Sequence, residues 1–403
     1  MKVLIADKFE KVGIDGLKDL GCTVESRPDV KAEDLPTLMR EIDPNVLIVR
    51  SKKVTADALK AGVALNLVIR AGAGIDTIDV VAASGLGVFV TNCPGRNSIA
   101  VAELVMALLL ECDRRVADQV ADLRSGRWNK AEFSRARGLA GRTLGIIGLG
   151  QIGREVALRA RSFGMRVVAW SRNLTHEEAD RLGVAYAQTP IEVARVSDAV
   201  TLHVAATAET KHLVNDEFLA TLKPGAYFIN TSRGSVVDEA ALLRAVREKG
   251  VRCGLDVYQH EPAGGTGEFK SAIAMEPGVY GSHHIGASTE QAQVAIAHEV
   301  IRIVQAFKEL GEVPHCVNRL ARSTASHVLS IRHLNRPGVL AHVFKVLAEQ
   351  AINVEEVESI LYHGAKATLA RVHLDGAPTL EAIDIIRQGN KNIISVELAE
   401  IQR

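Results

Sequence analysis

The chain has 403 residues, and its 48 Lys plus Arg balance 48 Asp plus Glu, so the formal net charge is zero. That length allows two or three domains with cores of their own, and the charge balance provides no general nucleic-acid or membrane surface, so an anionic ligand has to be met by a local cluster of bases. No apolar run reaches a membrane-spanning length, because Glu103 interrupts the most hydrophobic helical pattern and Arg70 and Asp76 interrupt the next.

Residues 1–7 read as a core strand rather than a signal peptide. Short apolar runs at 3–6, 46–49, 67–69 and 88–90 alternate with helical patterns such as 32–42. This βα repetition without a glycine fingerprint predicts an open parallel sheet that does not itself hold a dinucleotide. Ligands of such sheets sit beyond the carboxyl ends of the strands. Arg50 and Arg70 each end a strand there, the latter followed by Ala71-Gly72-Ala73-Gly74, while Lys52 and Lys53 read as solvated surface. A turn-rich break at 92–97 precedes a helical pattern over 98–123, as suits a crossover between domains.

The run 143–147 then leads into Gly148-Leu149-Gly150-Gln151-Ile152-Gly153 and an amphipathic segment ending near Phe163, with a second strand at 166–170. In this strand-turn-helix-strand context Gly148 permits the turn, Gly150 lets the backbone approach a pyrophosphate and Gly153 lets the helix pack closely. Free amides at the helix start face the anion. An NAD site usually places an acid at the end of the second strand, to hold the ribose hydroxyls. Here Ser171-Arg172 stand in that place, a pair that tolerates or favours the 2′-phosphate of NADP or simply faces solvent.

Further strands are expected at 199–202, 226–229, 253–255 and 278–280, followed by a long helix over 289–310 that returns the chain to the first domain. The first domain is therefore expected to be discontinuous. From about Ser323 the pattern changes to a strand at 327–333, a helix to residue 350 with Pro337 in its first turn, strands at 354–361 and 367–374, a helix at 379–388 and a last strand at 393–401. That is a βαββαβ unit. The five cysteines, Cys22, Cys93, Cys112, Cys253 and Cys316, form no CxxC pair, which implies reduced thiols in a cytosolic protein and no disulfide framework or metal site. Cys93, beside Pro94-Gly95, reads as a reactive thiol or as a small buried filler.

Three polar groups recur at strand ends on the expected cofactor side: Arg233 within Asn230-Thr231-Ser232-Arg233-Gly234, Glu261 before Pro262, and His284 within His283-His284-Ile285-Gly286-Ala287. With these segments, the glycine fingerprint, the 70–74 run and the Asn97 segment, the sequence resembles the D-isomer-specific 2-hydroxyacid dehydrogenases, in the subgroup of 3-phosphoglycerate dehydrogenases with a C-terminal ACT domain. The resemblance runs from the first strand to the last residue.

It implies two doubly wound parallel-sheet α/β lobes plus the small βαββαβ domain. The lobes are a discontinuous flavodoxin-like substrate domain at 1–96 and 287–320 and a Rossmann domain at 97–286, with the ACT regulatory domain at 325–403. His284 becomes the acid/base, and Glu261 the partner that stabilises its imidazolium form and fixes its tautomer. Arg233 becomes the two-point fork for the substrate carboxylate. Asp256 is placed to accept from the nicotinamide carboxamide. Thr207, Thr231, Ser232, Gly286, Ala287 and the Gln151 and Ile152 amides match other cofactor contacts of the family. Arg50, Arg70, Ala73, Gly74 and Asn97 match its substrate side, and His333, Asn335 and Asn353 match an L-serine effector site, although Asn335 also reads as a helix cap.

Three departures matter. His283 stands where the family has proline, Ala205 and Ala208 replace prolines after His203, and Ser171 replaces the usual aspartate. The expectation is a cytoplasmic homodimer or homotetramer that uses NAD, with NADP open, on a small 2-hydroxy acid. A glyoxylate or hydroxypyruvate reductase and a non-catalytic NAD-sensing corepressor remain alternatives.

Overall fold

The computed structural model describes residues 1–262, 266–320 and 323–401. Two compact units divide it, Met1–Asn318 and Arg319–Arg403. The first unit holds two parallel sheets. Strands β1 (Lys2–Ile5), β2 (Thr23–Ser26), β3 (Val46–Val49), β4 (Leu67–Arg70) and β5 (Phe89–Asn92) pair in the order β2-β1-β3-β4-β5. Strands β6 (Thr143–Ile147), β7 (Arg166–Trp170), β8 (Ala185–Tyr186), β9 (Ala199–Leu202), β10 (Tyr227–Asn230), β11 (Arg252–Leu255) and β12 (Val279–Gly281) pair in the order β12-β11-β10-β9-β6-β7-β8.

Both sheets carry helices on both faces, which is why β3 and β9 are buried at every residue. Helix α1 (Ser98–Arg114) crosses to the second sheet, α2 (Gln151–Ser162) follows β6, and α3 (Glu290–Leu310) returns to the first sheet. There Ile296, Val300 and Ile303 of α3 pack on Val3, Ile5 and Ile69. Each fully buried aliphatic side chain of this kind stabilises by about 1.5–3 kcal/mol, and Ile303→Ala costs about 2–5 kcal/mol at a site that is 0% exposed. On the second sheet, Ala102, Val105 and Leu109 of α1 meet Ile146, Val156 and Ala160.

Strand order reverses beside β1 in one sheet and beside β6 in the other. At such a switch point the connections leave in opposite directions and open a crevice. Asp7 and Arg50 stand at the first, Gly148 and His203 at the second.

The second unit is a four-stranded antiparallel sheet of β13 (His327–Leu334), β14 (Val354–Leu361), β15 (Ala367–Leu374) and β16 (Ile393–Glu400), ordered β14-β15-β13-β16. Helices α4 (Val339–Glu349) and α5 (Leu380–Gln388) cover one face, with Leu329, Ile331, Val343, Leu347, Val372 and Ile386 between them. This is the expected βαββαβ order.

Several expectations need correction. The helix over 98–123 is two helices, because Arg115 turns left-handed (φ 55°), its guanidinium bonds Asp118 and Glu132, and Glu111 caps the amide of Ala117. Pro337 lies before α4 rather than in its first turn: Gly338, at φ 86°, starts that helix. Strands β2 and β8 carry no long apolar run and escaped the sequence reading. Among the described residues no helix is long and apolar enough to cross a membrane. The five cysteines are free, and burial pushes the Cys93 thiol up to about 12, as for an inert filler.

Candidate active site

The turn after β6 is shaped by its glycines. Gly148 has φ 98°, and a Cβ there would stand 2.5 Å from the His203 carbonyl oxygen. A Cβ at Gly153 would collide with the Gly148 carbonyl, whereas one at Gly150 would meet nothing within 4 Å. The chain therefore crowds the first and third glycines and leaves the middle one facing open space. No side chain caps α2, so its leading amides, Gln151 and Ile152 among them, are left for a ligand. Thr231 Oγ1, His203 Nδ1 and Asn97 Oδ1 are buried without a protein partner among the described residues. An open glycine, bare helix amides and orphaned polar atoms together fit a bound dinucleotide.

Around that turn the second sheet presents its other loops. Gly148 donates to the Trp170 carbonyl at 2.8 Å, which places Ser171 and Arg172 at the end of β7 beside the turn. Glu209 lies within the field of Arg172 and titrates below the ordinary carboxylate range, chiefly through its bond with Thr207. Thr207 donates its amide to Thr210 Oγ1 at 2.8 Å, a bond that tightens the loop where prolines were missing. Burial pushes the His203 imidazole down to about 3.

Buried Asn230 pins the loop after β10. Its Oδ1 accepts from the Ser232 amide and hydroxyl at 3.0 and 2.8 Å, and its Nδ2 donates to the Arg233 carbonyl at 3.1 Å. The Arg233 side chain then reaches the other lobe, where Nε and Nη2 each lie 2.9 Å from Asp76 Oδ2.

His284 stands at φ 54°, a left-handed conformation uncommon for a residue with a side chain. Asp256 imposes it. Its carbonyl accepts the His284 amide at 2.8 Å, and its carboxylate, 1% exposed, accepts from Ser282 Oγ at 2.6 Å and from the Ile285 and Gly286 amides at 2.9 Å each. The carboxylate expected to face the nicotinamide is thus turned into this loop. Held so, His284 puts Nδ1 2.7 Å from Glu261 Oε2, while Glu261 Oε1 accepts the Tyr258 amide at 2.9 Å. Burial pushes the Glu261 carboxyl up, but the His284 and Tyr258 bonds and the charges of His284 and Arg233 outweigh it and leave it below the ordinary range. His283 lies outside that contact.

The first lobe adds two more guanidiniums. Asp7 Oδ2 accepts the Arg50, Ser51 and Lys52 amides at 2.7 to 3.0 Å, and Arg50 Nη2 donates to Ser288 Oγ at 3.2 Å. Arg70 is lowered to about 10 by burial and by the neighbouring charges of Arg233 and Arg50. Gly72 and Gly74 make the room: side chains there would collide with the guanidiniums of Arg70 and Arg233. The Ala73 carbonyl is taken by Asn92 and that of Ala287 by Gln293. Asp7, Asp76, Ser282 and Ser288 were not among the expected site residues; the last three lie one or two positions from one that was, whereas Asp7 is 43 positions from Arg50 and is brought to it by the pairing of β1 with β3.

In the second unit the three expected effector residues do not converge within one chain. His333 is 4% exposed with Nε2 unpartnered among the described residues, and Asn335 Nδ2 donates to the Ala365 carbonyl at 3.1 Å rather than capping α4. Asn353 lies at the other end of the sheet, because the register sets Val354 and His327 both opposite Leu374 but His333 opposite Thr368. Six residues of strand separate the ends by about 20 Å.

Comparison with known proteins matches residues 106–286 to the NAD-binding domain of the D-isomer specific 2-hydroxyacid dehydrogenases and residues 327–388 to the ACT domain. A hydroxypyruvate reductase of Thermotoga maritima is 40% identical over 284 residues, covering 70% of this chain and 89% of that one. A D-3-phosphoglycerate dehydrogenase of Methanocaldococcus jannaschii is 36% identical over 318 residues, covering 77% of this chain but only 59% of the relative's length. The solved structure of an NAD+-bound 3-phosphoglycerate dehydrogenase of Entamoeba histolytica superposes with a TM-score of 0.66 at 26% identity, covering 79% and 99% of the two chains. With its two parallel-sheet lobes, its glycine turn and these relatives, the chain belongs to the D-isomer specific 2-hydroxyacid dehydrogenases and carries an ACT domain.

Proposed function

We propose that this chain is a D-3-phosphoglycerate dehydrogenase, an oxidoreductase that removes hydride from C2 of 3-phosphoglycerate and yields 3-phosphohydroxypyruvate, the first step of L-serine biosynthesis. The observation that carries the reading is the His284–Glu261 contact at 2.7 Å in a cleft shared by three guanidiniums, Arg50, Arg70 and Arg233, of which Arg70 feels the charge of the other two. A phosphate adds about two negative charges to the substrate carboxylate, and a matching number of positioned bases favours a phosphorylated acid.

Bound nicotinamide supplies the hydride acceptor. His284 removes the hydroxyl proton through Nε2, the ring nitrogen not held by Glu261. Glu261 fixes the tautomer and balances the imidazolium charge as it forms. Arg233 holds the carboxylate, and Arg50 and Arg70 meet the phosphate. Gly148, Gly150, Gln151, Ile152 and Gly153 would cradle the pyrophosphate, with Ser171 and Arg172 at the adenosine ribose and Thr207, Thr231 and Ala287 along the rest of the cofactor. On this reading residues 1–96 with 287–320 bind substrate, 97–286 bind the dinucleotide and 325–403 regulate. A serine effector held by His333 and Asn335 would draw Asn353 from a second chain. Exposed Leu123 and Trp128, at 57% and 80%, support a homo-oligomer, and the free thiols support a cytoplasmic setting.

The second reading is an NADP-preferring glyoxylate or hydroxypyruvate reductase, favoured by Ser171-Arg172 in place of an acid. Steady-state rates with NAD and with NADP, each on 3-phosphoglycerate and on unphosphorylated 2-hydroxy acids, decide between them. Arg50→Ala is expected to weaken turnover of the phosphorylated substrate far more than of hydroxypyruvate, and equal losses on both point to the reductase.

A further inference from the structure

We infer that Asp76 is a positioning residue for the substrate carboxylate, acting through Arg233; the inference rests on the reading of the site as a 2-hydroxy acid dehydrogenase. A guanidinium carries five N–H donors in a plane, arranged so that a carboxylate can be gripped from the side, by Nε and Nη2, or from the end, by Nη1 and Nη2. In this chain the side is turned to Asp76: Nε donates to Asp76 Oδ2 at 2.9 Å, and Nη2 forms an ion pair with the same oxygen at 2.9 Å. Nη1 gives one further bond to the Ser232 carbonyl at 2.7 Å, which fixes the rotation of the group about its long axis.

What is left is the end of the group, where Nη1 and Nη2 lie side by side in the guanidinium plane. That end grip is the part of Arg233 able to take a carboxylate by two parallel bonds, and its direction is set by Asp76. Gly74 belongs to the same device. A side chain there would collide with Arg233 Nη2 and stand 3.1 Å from Asp76 Oδ2, so the bare backbone is what lets the two side chains meet.

Stability does not explain the pair. Its side chains are 31% and 55% exposed, and an ion pair so open to water contributes little to folding. The partners come from different lobes, 157 residues apart, so the fork is aimed only when the lobes stand at this separation. Asp76 also opposes the mutual repulsion of three guanidiniums that share the cleft, which Arg70 registers directly.

The test uses the full-length protein, with steady-state kinetics and with calorimetric binding of oxalate, a carboxylate probe, to the enzyme saturated with NADH. Asp76→Asn is expected to raise KM for the 2-hydroxy acid and to weaken oxalate by about fivefold, the upper range for an exposed pair. The change in kcat should be about twofold or less, because a uniform binding contribution is being removed. Dinucleotide affinity should not move. In an Arg233→Lys background, where no fork exists to be aimed, Asp76→Asn should add nothing.

Equal losses in both backgrounds would overturn the inference, and so would unchanged KM and oxalate affinity in the single variant. A parallel fall in dinucleotide affinity would overturn it too, by assigning Asp76 a role in the fold. A wild-type protein that neither turns over a 2-hydroxy acid nor binds oxalate removes the functional reading itself. That outcome is distinct from an active wild type on which Asp76→Asn has no effect.

Discussion

His284 and Glu261 meet through Nδ1 and Oε2 at 2.7 Å although the histidine backbone is left-handed at φ 54°. The unfavourable backbone conformation costs on the order of 1 kcal/mol, and the Asp256 bonds to residues 284–286 hold it in place. A loop fixed in this way presents the ring to Glu261 before any substrate arrives.

His284→Asn should therefore lower kcat by about 10²–10⁴-fold while dinucleotide affinity stays unchanged. Glu261→Gln keeps an acceptor for Nδ1 but loses the charge, so a smaller loss of about 10- to 100-fold is expected. The double variant should be no worse than His284→Asn, since both act on one proton transfer. Single-turnover rates measure this, and a retained rate in His284→Asn would remove the residue from the chemistry.

The glycine turn separates folding from binding. A Cβ at Gly150 meets nothing within 4 Å, so Gly150→Ala should melt within a few degrees of wild type and lose dinucleotide binding. At Gly153 the same methyl collides with the Gly148 carbonyl oxygen, so Gly153→Ala should cost about 1–3 kcal/mol of stability. Thermal melts with and without NADH read both. Binding retained by Gly150→Ala would mean that the pyrophosphate lies elsewhere.

On the proposed reading, cofactor choice turns on the end of β7. Ser171→Asp puts a carboxylate where the 2′-phosphate of NADP would sit, and like charges at a few ångströms repel by about 1–4 kcal/mol across the range from water to a protein surface. The variant should bind NADP about tenfold or more weakly and keep or improve NAD, as read by quenching of tryptophan fluorescence. An unchanged ratio of the two affinities would show that the ribose is bound away from Ser171.

Patterns local in sequence were readable from it. Apolar runs located the buried strands of both parallel sheets to within two residues, because a strand covered on both faces reads as a near-continuous apolar run. The glycine spacing located the tight turn between β6 and α2. Thr23–Ser26 did not announce itself: β2 is an edge strand with Val24 as its single aliphatic residue. The kink at Arg115 depends on Glu132, 17 positions away, so no helical period contains it. The bond between Asp76 and Arg233 joins two lobes, and the turning of Asp256 into the 282–286 loop depends on how β11 and β12 lie side by side. Asn353 falls away from His333 because strand register, not spacing along the chain, decides which end of a sheet a residue occupies.

The two crossings between the lobes are fastened by a buried carboxylate, and that makes the catalytic unit sensitive to acid. Arg96 lies in the outgoing crossover and Glu299 on α3, the returning one. Glu299 is 1% exposed at its side chain and accepts from Arg96 Nη2 at 2.6 Å and Arg302 Nη2 at 2.5 Å, with His315 Nε2 at 3.1 Å. Burial pushes its carboxyl up, but the bonds and charges of Arg302 and Arg96 outweigh it, so it titrates below the ordinary range when folded. A carboxyl with a depressed folded pKa contributes stability that is present above its unfolded pKa and is lost as the pH falls through the folded value. Glu299→Gln should therefore cost about 1–3 kcal/mol near pH 7, the range for losing charge-assisted hydrogen bonds. The gap to wild type should begin to narrow as the pH falls below about 4, where the unfolded carboxyl takes up its proton, and close only once the pH has passed the depressed folded value. Urea unfolding of both proteins across this pH range measures the gap, and a difference independent of pH would mean that Glu299 serves by its shape and not by its charge.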